Sequence, residues 1–251
     1  MRISIITVCF NSEKTIEDAI QSVLSQTHKD IEYIIIDGAS TDGTLKIINK
    51  YKGRIAKIVS EKDRGVYDAM NKGLSLATGE VIGFINSDDF YPNSSVIQTV
   101  ADAFLASQAD AVYGDLVFVE KNNSLKELVY WRPGKYALWK VRWGWFLPHP
   151  ALFLKRKLYE KYGFFRTDFK IAADYELALR LFLKAGLQPY YVPQVLAYMR
   201  LGGVSTQLKN QSKSWQEVCR ALKINGLRLP AFSLIPFRIF WAVVGRFEVR
   251  K

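Results

Sequence analysis

Cysteine is scarce: Cys9 and Cys219 are the only two in 251 residues, far apart and with no histidine at ligand spacing. Their number excludes a disulfide framework and a structural zinc site, and it suits a reducing compartment. Cys9 reads as a packed strand residue. The opening MRISIITVCF has one arginine ahead of an apolar run that stops at Asn11. That run is too short for a signal peptide and lacks a small-residue cleavage site, so it reads as a buried first strand. Internal repeats and low-complexity stretches are missing as well, which excludes solenoids and disordered scaffolds. What is present is an ordinary globular mixture, 49% apolar and 24% charged. A chain this long can bury ~70% of its unfolded surface, enough for a core without metal or disulfide staples.

Acidic residues are too few to balance the basic ones: 35 Lys and Arg face 24 Asp and Glu, a net charge of +11. The excess is local. Residues 1–129 hold 13 basic and 18 acidic side chains, residues 130–161 hold 8 and 1, and residues 208–251 hold 9 and 2. A basic chain first suggests nucleic acid, but no recognition motif for it occurs and none is expected to bind. Both basic segments are rich in large apolar groups, which favours an anionic membrane surface.

ISIITV (3–8) and IEYIIID (31–37) are β-branched runs of the kind buried in parallel sheets. Between them Ile16, Ala19, Ile20, Val23 and Leu24 repeat at helical spacing, with Ser12 as a candidate N-cap. Helices are expected over 41–51, 67–79, 93–106, 155–163 and 172–186, the last ended by Gly186. Strands are expected over 55–61, 80–86 and 110–119, while 130–150 shows no clear period. Alternating β and α segments with short links imply an α/β fold, a doubly wound and mainly parallel sheet flanked by helices.

Ligands of such sheets bind beyond the carboxyl ends of the strands. Acidic groups fall at three of those ends: Asp37, Glu61 with Asp63, and Asp88 with Asp89. One reading is that each caps the following helix. The other is that converging carboxylates share a hard divalent cation, Mg²⁺ or Mn²⁺, which bridges to phosphates.

The segments TVCFN (7–11), DGASTDGT (37–44), SEKDRGVYDAMNKG (60–73), GEVIGFINSDD (79–89) and AADYEL (172–177), in this order, resemble the inverting glycosyltransferases of family 2. The resemblance spans roughly residues 1–205, and its nearest flavour is bacterial exopolysaccharide or lipopolysaccharide synthesis. It implies a GT-A-like catalytic domain over 1–207, with a nucleotide-sugar half (1–115) and an acceptor half (116–207), then a basic, apolar, helical extension over 208–251. It implies that Thr7, Val8, Phe10, Asn11, Asp37, Asp63 and Asn71 line the nucleotide-sugar site. Asp88 would approach the ribose, Asp89 would hold the divalent metal, Mn²⁺ or Mg²⁺, and Asp174 would be the general base. Three positions depart from the family pattern: Gly38 where many members carry a second Asp, Met70 where an Arg is common, and Ala173 where Glu usually precedes the base.

Such an enzyme deprotonates an acceptor hydroxyl as it attacks C1 and neutralises the departing diphosphate. One carboxylate serves the first need, worth on the order of 10²–10⁴-fold, and a metal serves the second. One displacement inverts the anomeric centre. The expected donor is a UDP-sugar and the expected acceptor a lipid-linked saccharide. Two other classes remain open: a nucleotidyltransferase acting on a sugar phosphate, and a non-catalytic membrane-associated partner. The first would ordinarily carry a glycine-rich phosphate loop, and TVCFNSEK has no glycine.

Several features keep two readings. His149, between Pro148 and Pro150, could touch acceptor or diphosphate, or simply bond within its loop; His28 reads as surface loop. GGVS (202–205) could close over a diphosphate through its amides or merely connect, with Arg200 beside it. Four of the six tryptophans fall in WRPGKYALWKVRWGW (131–145). Rings among cations suit lipid headgroups, an acceptor platform or the core. Residues 229–245 hold Arg238 as their sole charge and two prolines. They read as an interfacial anchor or as a segment packed on protein, placing the enzyme peripherally on a cytoplasmic membrane face.

Overall fold

The computed structural model describes residues 1–121, 123–142, 145–202, 211–227 and 247–249. Its first half alternates as expected: β1 (Ile3–Cys9), α1 (Ile16–Leu24), β2 (Ile31–Asp37), α2 (Thr44–Lys50), β3 (Lys57–Ser60), α3 (Val66–Leu76) and β4 (Val81–Phe84). A two-residue strand β5 (Asp89–Phe90) and α4 (Val96–Ser107) follow, then β6 (Ala111–Glu120), β7 (Asn123–Trp131) and α5 (Leu138–Arg142). The chain continues through β8 (Leu152–Lys155), α6 (Arg156–Tyr162), α7 (Ala173–Lys184), β9 (Tyr190–Arg200), α8 (Gln211–Ile224) and β10 (Phe247–Val249).

One sheet carries all of these strands, eight of them in the order β10-β7-β6-β8-β4-β1-β2-β3, with β9 joined to β6 and β5 to β9. β1 lies central and pairs in parallel with β2 and β4, and β2 pairs in parallel with β3. Every residue of β1 is buried, as a β-branched strand covered on both faces requires. Alternation along it feeds two cores. Ile3 and Ile5 face Ile16, Ile20 and Val23 of α1 together with Ile97, Val100 and Phe104 of α4. Ile6 and Val8 face Tyr67, Met70 and Leu74 of α3 together with Leu177 and Leu181 of α7. Helices thus cover both faces, the doubly wound arrangement expected.

α1 starts later than Ser12. Thr15 occupies its N-cap without a side-chain bond, while Ser12 offers its carbonyl to the amides of Thr15 and Ile16 at 3.0 Å each. The Ser12 hydroxyl faces Ser87 at 2.8 Å instead. Gly186 does follow α7 in the left-handed region, φ +64°, where glycine meets no Cβ penalty.

Five strands are not legible in the sequence: the short β5, then β7, β8 and β9, and β10, which lies in the extension expected to be helical. β8 pairs antiparallel with β4 and β6, and β9 pairs in parallel with β6 and antiparallel with β5. Exposure along β8 and β9 does not alternate cleanly (β9 runs exposed, half-buried, buried, exposed, exposed from Tyr190), and β9 contains Pro193, a residue that argues against a strand. Register shifts between β6 and β7 blur the period further. The C-terminal extension enters this body rather than trailing from it. Val218, Ala221 and Leu222 of α8 join the core that contains α7, and Phe247–Val249 pair antiparallel with β7. The apolar segment 229–245 lies outside the described residues. Among the described residues, no helix is long and apolar enough to cross a membrane.

Candidate active site

The carboxyl ends of β1, β2, β3 and β4 open toward one edge of the sheet. β1 delivers its side chains unevenly. Thr7 is fully buried with its hydroxyl 3.1 Å from Tyr33, and Val8 packs in the core, so neither side chain reaches the cleft. Beyond the strand, Phe10 is 60% exposed. Asn11 adopts φ +49°, a left-handed value that asparagine tolerates. Its side-chain oxygen accepts the Thr41 amide at 2.8 Å and its own amide donates to Ser40 at 2.8 Å. This tie fixes the exit of β1 against the turn after β2.

Asp37, the last residue of β2, is buried and accepts from the Ser40 amide (3.0 Å), the Ser40 hydroxyl (2.5 Å) and the Ser60 hydroxyl (2.7 Å). It braces the turn after β2 against the end of β3 with an occupied carboxylate. Asp63 is the more available acid. A Cβ built on Gly38 would stand 2.5 Å from Asp63 Oδ2 and 3.4 Å from the Phe10 ring. The missing second Asp thus leaves room that Asp63 fills, held by the Gly65 amide at 2.8 Å. Phe10, Gly38 and Asp63 together form a small cradle with a ring and a carboxylate.

The acids after β4 point to different surroundings. Asp88 is half-buried; burial raises its carboxyl pKa, against the pull of Arg200 and Lys121. Asp89 is fully buried, and burial together with the Asp88 charge drives its carboxyl well upward. Asn86 donates to one Asp89 oxygen at 2.9 Å. The other Asp89 oxygen and the Asn86 side-chain oxygen have no hydrogen-bond partner among the described residues. An orphaned Asp89 oxygen beside an orphaned Asn86 oxygen, with the Asp88 carboxyl next in the chain, fits a hard cation. The described residues contain no group of three or more such ligands, so a metal here needs further oxygens from its substrate. Arg200, 5% exposed, donates to the Asp88 carbonyl at 3.0 Å and pairs with Asp18, its guanidinium 4.7 Å over the Phe90 ring. It therefore locks the Asp88–Phe90 backbone.

Asp174 stands in the first turn of α7, half-buried. The Tyr67 hydroxyl lies 3.1 Å from its Oδ1 and 2.7 Å from the Ile171 carbonyl. Desolvation, followed by the Asp174 charge, raises the Tyr67 phenol well above its ordinary value, so Tyr67 remains a donor. His149 packs between Phe84, the last residue of β4, at 5.2 Å and tilted, and Phe165, at 5.5 Å and edge-on. Burial lowers its pKa, and the Asp174 carboxylate opposes that shift. The Asn71 amide bonds the backbone of Phe165, donating at 2.8 Å and accepting at 3.0 Å. These bonds anchor the 165 loop to α3 and leave Asn71 one N–H.

Tyr67 and Arg200's pairing with Asp18 escaped sequence reading because each joins residues over a hundred positions apart. Of the other candidates, Gly202 is exposed with φ +108°, and residues 203–205 of its loop lie outside the described residues. His28 bonds through both ring nitrogens, to Gln98 and to the Met1 carbonyl. Cys9 is buried, and burial with the nearby Asp37 drives its thiol upward. The tryptophans divide: Trp145 is core, Trp131 half-buried, and Trp139 58% exposed.

Residues 4–171 match the glycosyl transferase family 2 domain, and the chain belongs to that family of glycosyltransferases. The match stops just short of Asp174. The chain is 31% identical over 211 residues to the PGL/p-HBAD biosynthesis glycosyltransferase of Mycobacterium bovis, covering 82% of this chain and 79% of the relative. It is 30% identical over 220 residues to an uncharacterized glycosyltransferase of Mycobacterium tuberculosis, covering 81% and 77%. Among solved structures it is similar to S. aureus TarS 1–349 in complex with UDP-GlcNAc, with TM-score 0.73, 20% identity and coverage of 96% and 73%. The mannosyltransferase PcManGT from Pyrobaculum calidifontis, in complex with GDP-Man and Mn²⁺, gives TM-score 0.66, 20% identity and coverage of 97% and 74%. These likenesses establish the GT-A-type fold.

Proposed function

We propose that this protein is an inverting, metal-dependent glycosyltransferase that moves a sugar from UDP to an acceptor hydroxyl. The observation that carries the reading is the link between the two halves of the cleft. Asp174 is hydrogen bonded to Tyr67 of α3, and α3 begins at the Asp63–Gly65 turn that closes on Gly38 and Phe10. A half-buried carboxylate is thereby tied to a cradle fitted to a nucleoside.

In this reading the Phe10 ring stacks on the base and the Asp63 carboxylate accepts its N–H. Asp88 faces the ribose. Asp88 and Asp89 are the residues that would hold a divalent cation, which when bound neutralises the leaving diphosphate. Asp174 accepts the acceptor's proton as its oxygen attacks C1, and the hydrogen bond from Tyr67 orients the carboxylate for that transfer. His149, neutral through burial, closes the floor between β4 and the 165 loop. The solved complex of TarS with UDP-GlcNAc supports a UDP donor, and that of PcManGT with Mn²⁺ supports the metal. A lipid-linked saccharide on a membrane face suits exposed Leu138 and Trp139 beside Lys135 and Lys140 on and near α5.

The test is nucleoside diphosphate release from UDP-, GDP- and dTDP-sugars, with membrane extract as acceptor source, with and without Mn²⁺. Metal-dependent release from a UDP-sugar, abolished in Asp89→Ala, is expected. Equal release in chelator, or an active Asp89→Ala, refutes the metal role; a GDP- or dTDP-sugar preference refutes the donor.

A further inference from the structure

α8 lies in the extension that follows the family domain, yet it grips the loop leading into Asp174. The Glu217 carboxylate, 8% exposed, accepts three consecutive backbone amides: Lys170 at 2.9 and 3.0 Å, Ile171 at 2.8 Å and Ala172 at 3.0 Å. Those amides enter α7, whose N-cap is Ala172 and makes no side-chain cap bond of its own. The three amides belong to the entry loop and the N-cap residue, ahead of the first turn, so Glu217 fixes the backbone that leads into α7 from another helix. The grip continues along α8. One turn after Glu217, Arg220 donates to the Asp168 carbonyl at 3.1 Å, pairs with the Asp168 carboxylate and covers the Phe169 ring at 4.6 Å. Asn225 reaches Glu176 on α7 at 3.3 Å. From the opposite side, Tyr67 holds the Ile171 carbonyl.

We infer that Glu217 is a positioning residue for the Asp174 base: it fixes the 170–172 backbone so that the carboxylate two residues on stands where the acceptor hydroxyl arrives. This rests on the base assigned to Asp174 above. It gives the C-terminal extension a part in catalysis that does not depend on membrane attachment. Charge-assisted bonds to amides are roughly twice as strong as neutral ones, so a carboxylate here holds the loop better than an amide would. The loop's carbonyl and amide sides are pinned by two separate elements, α3 and α8. Removing the α8 side frees the entry to α7 while the nucleoside cradle, built from the ends of β1, β2 and β3, keeps its own bonds.

The experiment compares wild type, Glu217→Ala, Glu217→Gln, Asp174→Asn and Asp174→Asn/Glu217→Ala. It measures turnover of UDP-sugar with membrane extract as acceptor source, UDP binding by calorimetry, and thermal stability. Since a displacement of about 1 Å can cost 10²-fold in rate, Glu217→Ala is expected to lose roughly 10- to 100-fold in kcat. UDP affinity should stay within about twofold, and Glu217→Gln, which keeps an acceptor oxygen, should lose less. The double variant should be no slower than Asp174→Asn, because the two residues act as one unit. An inactive Asp174→Asn beside a Glu217→Ala of wild-type kcat overturns the inference and leaves the base intact. Parallel loss of UDP affinity and kcat in both Glu217 variants also overturns it, by showing a merely structural role. An Asp174→Asn that turns over like wild type overturns the base, and the inference with it.

Discussion

Gly38→Ala isolates the nucleoside cradle from the rest of the fold. The new Cβ would lie 2.5 Å from Asp63 Oδ2, a separation that forces the carboxylate to move. Asp63 is short and already bonded through its other oxygen to the Gly65 amide at 2.8 Å, so it cannot swing aside and keep that bond. A hydrogen bond to a charged group contributes about 1.5–3 kcal/mol. Loss or distortion of it displaces the carboxylate that the proposed function assigns to the base, and at 1.4 kcal/mol per decade UDP binding is expected to weaken roughly 10- to 100-fold. Stability should change little, because Asp63 is half-buried at the cleft rim and Gly38 has no positive φ to lose. Calorimetric titration of UDP and a thermal melt on the same preparations separate the two effects. Wild-type affinity in Gly38→Ala would refute the placement of the base against Asp63. A large drop in melting temperature would show that the contact braces the fold instead.

Two further outcomes follow from packing and burial. Gly73→Ala adds a methyl 2.5 Å from Ile6 Cγ2, inside the core between α3 and β1. Overpacking of this kind costs about 1–3 kcal/mol. At roughly 2–4 °C per kcal/mol for a chain of this size, the melting temperature should fall measurably, and an unchanged melt would contradict the packing. His149 has its folded pKa lowered by burial. The neutral form is therefore favoured on folding, and its stabilisation is full above the unfolded value near 6.5 and declines as pH falls below it. His149→Phe, which keeps a ring between Phe84 and Phe165, should lose less melting temperature than wild type between pH 7 and pH 5. Identical pH slopes would contradict the burial.

The N-terminal half was legible because its signals are local. β-branched runs, an apolar stripe over 16–24 and acids at strand ends each lie within a dozen residues, and the structure realises them as β1, β2, β4 and α1. Asp37, Asp63, Asp88, Asp89 and Asp174 were nameable from the chain, but their surroundings were not. Asp37 accepts from Ser40 and Ser60, and Asn71 is bonded to the Phe165 backbone. Thr7 and Val8 face the interior, since alternation along a strand buried on both faces sends both side chains into the core.

The sequence by itself determined the α/β class, the parallel first half and the acids that line its strand ends. Those follow from hydrophobic period and chain direction, which neighbouring residues dictate. Only the tertiary structure decided which acids remain available, that Asp63 fills the room beside Gly38, and that Tyr67 and Glu217 hold the Asp174 loop from α3 and α8. Hydrogen bonds between residues 45 to 107 positions apart leave no periodic trace. They exist only after the helices on one face of the sheet have packed.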